Sequence, residues 1–250
     1  MGTTRAFWSR NVKKYLRSKS RIPSSLGQPL FFLIFLGFGL GSIIIIPGGG
    51  SYLKFIVPGV VSLAIMSISS FYGIQIVWDK QFGFLKETLI APTSRFQIML
   101  GQTLGGATAG FIQGIIMLLI CCLVTFNFPS IGIIIALLFM FMIGVFFAAL
   151  GIAIGSRMED MQSFGPVVTL LLMPLFGLSG GLFPLNNTFV ILRDIAYFNP
   201  LSYAIEGIRY GLYGTSQINP LFSFFMLLIF CVVMIVIGSL IFNKMKAQTN

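Results

Sequence analysis

The sequence contains no histidine and very little charge. Histidine is the commonest general base and the commonest metal ligand. Its absence excludes a His-containing triad and a zinc site. Charged residues make up 9% of the 250 positions and apolar ones 56%, against about 25% charged in a soluble domain. So few charges cannot cover a water-facing surface, and the surrounding medium must be lipid. No Gly-Lys pair occurs, so no P-loop can cradle ATP phosphates. Ser179 in LSGGL has no base beside it, and enzyme activity in this chain is not expected. The three cysteines, Cys121, Cys122 and Cys231, lie within apolar runs. Their odd number argues against a disulfide framework, and they read as small buried hydrophobes. Of the six acidic residues, none falls in the middle of an apolar run, where ion-coupled carriers place carboxylates. A transporter without ion-coupling carboxylates and without its own ATP site must borrow its energy.

What is present is a series of apolar stretches long enough to cross a bilayer, which takes about 20 residues each. Six qualify, at about 26–46, 55–77, 97–126, 131–155, 163–183 and 221–243. The fold class is therefore all-α integral membrane with six transmembrane helices. Placing both termini in the cytoplasm puts thirteen of the sixteen basic residues inside and only Lys54, Arg193 and Arg209 outside, as the positive-inside rule requires. Two units follow: residues 1–22 as an amphipathic segment and 23–250 as the transmembrane domain. The net charge of +10 does not point to nucleic acid, because seven basic residues crowd into the first 21 positions. That pattern suits anionic membrane lipid. The same basic stretch is too long for a signal peptide and is expected to be retained.

Four segments outside the spans carry information. In Thr3–Arg21, Trp8, Val12, Tyr15 and Leu16 share one helical face, with Arg10, Lys13, Lys14, Arg17 and Arg21 on the other. This predicts an interfacial helix on the inner leaflet, ended by Pro23. The loop WDKQFGFLKETLIAPTSRF, residues 78–96, has Phe82, Leu85 and Leu89 at helical spacing. It predicts a short amphipathic helix whose apolar side beds into the bilayer surface or docks on a partner protein. The loop 156–162 carries Arg157, Glu159 and Asp160 and reads as a solvated turn. The segment 184–220 is long yet apolar. Asn199-Pro200 predicts a helix start, Gly214 a stop, and Glu206 and Arg209 an i, i+3 pair. Two short re-entrant helices between spans five and six are expected there.

Three stretches resemble the ABC-2 type permeases, the membrane subunits of ATP-binding-cassette exporters that include the daunorubicin-resistance and nodulation-factor branches. They are IVWDKQFGFLKETLIAPTSRFQIMLGQTLGG (76–106), LMPLFGLSGGLFPL (172–185) and FNPLSYAIEGIRYGLYG (198–214), in the family's order. The resemblance implies an ATP-driven export permease working with a separate ABC ATPase subunit and a second permease copy or homologue, most simply as a homodimer. ATP and Mg would be held by the ATPase, with no cofactor in this chain. It implies that the segment matching Gln81–Ile90 is a coupling helix seated on the ATPase, with Phe82, Phe84, Leu85, Lys86 and Glu87 as coupling residues and Glu159 supporting a second contact. The segment matching Thr3–Arg21 becomes a connecting helix, and Glu206 and Arg209 stabilise an outer gate. The family's cargoes, together with a phenylalanine-rich chain, suggest a hydrophobic or amphipathic substrate: a drug, a lipid or a glycan-like molecule. A prokaryotic plasma membrane is the expected location. Two alternatives remain at this point. A stand-alone channel or facilitator would use Ser67, Ser69, Ser70, Gln75, Thr103, Thr108 and Gln113 as its lining. An assembly protein would transport nothing.

Overall fold

A computed structural model describes residues 2–18, 20–39, 41, 51–82, 94–125, 132–184 and 190–245. Helix α1 is Gly2–Arg17, and α2 is Arg21–Phe32, continued by a π-helical stretch over Leu33–Gly39. Then come α3 (Tyr52–Phe71), α4 (Ile74–Gln81), α5 (Arg95–Thr125) and α6 (Ile133–Arg157). The chain continues through α7 (Met161–Gly177), α8 (Val190–Tyr197), α9 (Pro200–Tyr213) and α10 (Pro220–Asn243). No strand occurs among the described residues.

Among the described residues, five helices are long and apolar enough to cross a membrane: Ile22–Gly39, Tyr52–Gln81, Arg95–Thr125, Ile133–Arg157 and Pro220–Asn243. The fifth predicted span corresponds to the shorter apolar helix α7, of 17 residues. It stops at Gly177 rather than 183 because the chain turns over Leu178–Gly180, with Gly180 at φ 72°. Hydropathy runs on through this turn, but the backbone does not. The second span instead continues past 77, because α4 carries α3 onward after a short break at Tyr72–Gly73. The predicted end of the first helix at Pro23 is displaced too. The break falls before Arg21, and Pro23 sits in the first turn of α2, where its missing N–H costs nothing.

The core is built around α3. Its residues are buried almost all round, as expected for a helix that is apolar on every face. Helix α10 is equally apolar, yet far more of its side chains are exposed, among them Leu221, Phe225, Ile229 and Val232. Glycines set the closest contacts. A Cβ on Gly73 would lie 1.9 Å from the Gly151 carbonyl oxygen, and one on Gly151 would lie 2.0 Å from that of Ser70. The α3–α4 junction therefore meets α6 backbone to backbone. Helix α5 presents Gly106, Gly110 and Gly114 towards Tyr72, Ser69 and Ile65, the small-residue packing typical of membrane helices.

At 1.5 Å per residue, the 30 residues of Tyr52–Gln81 extend about 45 Å. Their two ends therefore define opposite ends of the bundle. The α4 terminus gathers α1, the start of α5 and the 156–160 loop. The start of α3 gathers the Leu178–Gly181 turn and α9.

Candidate functional site

At the α1 end, a polar stripe fixes α1 to α5. Thr4 donates through its hydroxyl to the Gln97 carbonyl (3.2 Å), Trp8 Nε1 to Thr108 Oγ1 (3.0 Å), Asn11 Nδ2 to Gln102 Oε1 (3.4 Å) and the Tyr15 hydroxyl to Gln113 Oε1 (2.5 Å). Positions 4, 8, 11 and 15 recur at helical spacing, so one face of α1 makes all four bonds. Gly101 and Gly105 make room: a Cβ on Gly105 would lie 2.5 Å from the Asn11 Cβ. The Tyr72 hydroxyl donates to the Asn11 carbonyl (3.4 Å), which brings in the end of α3.

This adds to the sequence-based picture of α1, whose expected apolar face is Trp8, Val12, Tyr15 and Leu16. Of these, Tyr15 is buried against protein together with Asn11, while Trp8 is 38% and Leu16 53% exposed. The helix is amphipathic, but it docks through a hydrogen-bonded stripe. Contacts between residues about a hundred positions apart leave no periodic signal in either segment. Of the polar residues considered for a channel lining, Ser69, Thr103, Thr108 and Gln113 are engaged in hydrogen bonds, whereas Ser70 Oγ and Gln75 Nε2 are buried without a partner. Gln113 serves Tyr15, Thr103 donates to the Met99 carbonyl (2.9 Å) and Thr108 to that of Leu104 (2.7 Å).

The last turn of α4 joins three elements. Asp79 pairs with Arg10 of α1 at 3.7 Å. Lys80 Nζ donates to the carbonyls of Ser156 (2.6 Å), Met158 (3.0 Å) and Gly155 (3.5 Å), at the C-terminus of α6. Gln81 Nε2 donates to the Glu159 carbonyl (2.9 Å). Phe82, the next residue, is half-exposed, with its ring 5.3 Å from that of Trp78. Of the predicted coupling residues, Phe82 and Glu159 are thus brought near one another through Gln81. Phe84, Leu85, Lys86 and Glu87 lie outside the described residues.

The 156–162 loop is more than the solvated turn read from sequence. Lys80 and Gln81 hold its backbone. Asp160 caps α7, accepting from the Gln162 and Ser163 N–H groups (both 3.0 Å) and the Ser163 hydroxyl (2.8 Å). The Gln162 N–H, followed by the Ser163 hydroxyl, holds the Asp160 carboxyl below the ordinary carboxylate range. Lys80 went unassigned in the sequence because a lysine on an amphipathic stretch reads as solvated. Its position one turn before a loop was the only available signal.

At the opposite end, Glu206 and Arg209 form the predicted i, i+3 ion pair, and both are buried. Arg209 Nη2 also donates to the Gly180 carbonyl (3.3 Å), and its guanidinium lies 4.3 Å from the Phe55 ring centroid. The second Glu206 oxygen accepts from the Gln217 N–H (2.5 Å). One pair thereby ties α9 to α3, to the turn after α7 and to the loop before α10. Tyr52 donates to the Leu182 carbonyl (3.0 Å), and a Cβ on Gly59 would lie 2.6 Å from the Gly181 oxygen. The predicted boundaries of α9 are found: Asn199 caps its start ahead of Pro200, and Gly214 ends it at φ 71°. Its neighbour α8 exposes Val190, Ile191 and Ile195. Sequence reasoning did not find Phe55, Gly180 and Gln217, since each reaches the pair from a distant segment.

Comparison with known proteins agrees with this architecture. The ABC-2 type transporter family model matches residues 3–213. The inner membrane transport permease YadH of Escherichia coli (strain K12) is 27% identical over 237 residues, covering 91% of this chain and 90% of the relative. Nodulation protein J of Rhizobium leguminosarum bv. viciae is 24% identical over 242 residues, covering 96% and 93% respectively. The match takes in α1, the α4 terminus and the Glu206–Arg209 pair alike. A multi-pass plasma-membrane chain with this fold, matched from its first helix through α9, belongs to the ABC-2 type transporter family and is a membrane subunit of a transporter.

Proposed function

We propose that this chain is the membrane-spanning permease of an ATP-driven exporter, moving a hydrophobic or amphipathic substrate outward with ATP hydrolysed by a separate subunit. Both termini, and with them the α1 end, face the cytoplasm. Two permease copies pair, and an ABC ATPase binds beneath each, holding ATP and Mg. Residues Phe82, Phe84, Leu85, Lys86 and Glu87 make the contact with the ATPase, and Glu159 supports a second one. Glu206 and Arg209 brace the outer gate.

The observation that carries this reading is the convergence at the α4 terminus. Helices α1, α4, α5 and α6 meet there, and the chain departs from that point into residues 83–93. A push on that segment acts on four helices at once, which is what energy delivered from outside the chain requires. The capture of Gln113, Thr103 and Thr108 by internal hydrogen bonds speaks against these groups as a pore lining. Basic residues concentrated at the α1 end support the cytoplasmic orientation.

Leu85→Asp tests the coupling role. A carboxylate on an apolar docking face must be desolvated without a partner, which is strongly unfavourable. The variant is expected to reach the membrane and keep its folded state while losing transport, as read by efflux of a hydrophobic dye from cells expressing the complex. Wild-type efflux by that variant would remove residues 83–90 from the ATPase contact. Ion conductance by the purified chain alone in liposomes would favour the channel.

A further inference from the structure

Three consecutive residues at the end of α4 point to three different elements. Asp79 reaches α1, Lys80 the end of α6, and Gln81 the loop beyond it. The chemistry at Lys80 is specific. The last four carbonyls of a helix have no partner within the helix, and an ammonium offers three donors and no acceptor. Lys80 Nζ bonds to the carbonyls of Gly155, Ser156 and Met158, so each of its donors has an acceptor at the negative end of the α6 dipole. The Glu159 carboxylate adds attraction to the same ammonium. Just behind it, Gly73, Gly151 and Gly155 bring the backbones of the α3–α4 junction and α6 into direct contact. A side chain cannot enter that seam, and the Lys80 cap closes its end.

We propose that Lys80 is a positioning residue for energy coupling: it fastens the C-terminus of α6 and the 156–160 loop to the base of the coupling segment, so that both move as one body. The role rests on the exporter reading above. It adds a second route for force. Displacement of residues 83–93 reaches α1 through Asp79 and Arg10, and reaches α6 and the start of α7 through Lys80. The loop carrying Glu159 then needs no independent drive from the ATPase.

The test uses the permease in complex with its ATPase in nanodiscs of phosphatidylethanolamine and phosphatidylglycerol. Cys121, Cys122 and Cys231 are replaced by alanine, and spin labels are placed at Trp78→Cys on α4 and Arg157→Cys on α6. Distances are measured without nucleotide and after trapping with ATP and vanadate. With Lys80 intact, one narrow distance within each protomer is expected in both states, set apart from the longer distances between protomers. Lys80→Met keeps the apolar stem and removes the donors. It is expected to broaden the distribution and to add a second population on trapping, while ATP hydrolysis persists. Lys80→Arg, which restores charge and donors, is expected to recover the narrow distribution, an outcome that loss of packing alone would not give. Should Lys80→Met fail to assemble, Lys80→Gln, which loses the charge and one of the three donors, carries the same comparison. The proposal is overturned if Lys80→Met matches the parent in both states, or if the parent itself separates the two labels on trapping. Failure of the exporter reading looks different: the parent complex then hydrolyses no ATP, and transmission through Lys80 falls with it.

Discussion

The two ends of the bundle are held together by opposite means. The α1 end is joined by many modest contacts: neutral hydrogen bonds from Thr4, Trp8, Asn11 and Tyr15, one part-exposed ion pair, and a lysine on helix-end carbonyls. The α9 end has neutral contacts too, Tyr52 to Leu182 and Asn199 to Leu175, but its centre is one buried pair, Glu206–Arg209, which serves four segments. Distributed contacts of about 1 kcal/mol each can give way singly while the rest hold. A buried charge pair behaves differently, because losing either partner leaves the other charge without compensation. In the proposed transporter, the end that receives the ATPase is therefore graded in its response, and the end that faces outward is all-or-none.

Substitutions at the two ends sharpen this contrast. The largest effect is expected from Arg209→Met. It leaves Glu206 buried and unpaired, and loss of about 3–5 kcal/mol is expected from such a change, read as a fall in the thermal midpoint of the purified protein in detergent. The double variant Glu206→Leu/Arg209→Met removes both charges and is expected to recover much of that loss. A double variant as unstable as the single would show that packing on Phe55, not charge, holds the cluster.

Tyr15→Phe comes next. It deletes the hydroxyl that donates to Gln113 and leaves a buried acceptor short of a partner, at about 1–3 kcal/mol. Because the Thr4, Trp8 and Asn11 bonds, the Tyr72 hydroxyl and the Arg10–Asp79 pair still hold α1, the loss is expected to stay local. Hydrogen exchange in residues 2–17 should rise while the α9 segment keeps its protection. Equal deprotection at both ends would contradict the distributed picture. The smallest effect belongs to Arg10→Gln, whose pair with Asp79 spans 3.7 Å with the Arg10 side chain half-exposed. A change of about 0–1 kcal/mol is expected, shrinking further in high salt, and a larger salt-insensitive loss would mean that the pair is more deeply shielded than its exposure indicates.

How far the sequence could be read follows the same division. The α9 end was legible where its signals are local. Asn199-Pro200 and Gly214 mark helix ends through the two or three residues around them, and Glu206 and Arg209 lie one turn apart. The spans were legible because a bilayer imposes a length. The docking of α1 was not, since Asn11 and Tyr15 find Gln102 and Gln113 across some ninety residues of chain, and a stripe mixing threonine, tryptophan, asparagine and tyrosine resembles no standard face. The early end of α7 was hidden because Leu178 and Leu182 maintain the hydropathy while Gly180 adopts a left-handed turn. Lys80 was hidden because capping a helix end depends on where that end arrives in space.

The central claim is that this chain draws its energy from a separate ATPase seated at the α1 end. The most direct measurement is a mild-detergent pull-down of the tagged chain from its native membrane, with mass spectrometry of what accompanies it. The account predicts a stoichiometric partner carrying a P-loop, lost when Leu85 is replaced by aspartate. A chain recovered alone, reproducibly and still folded, would contradict it.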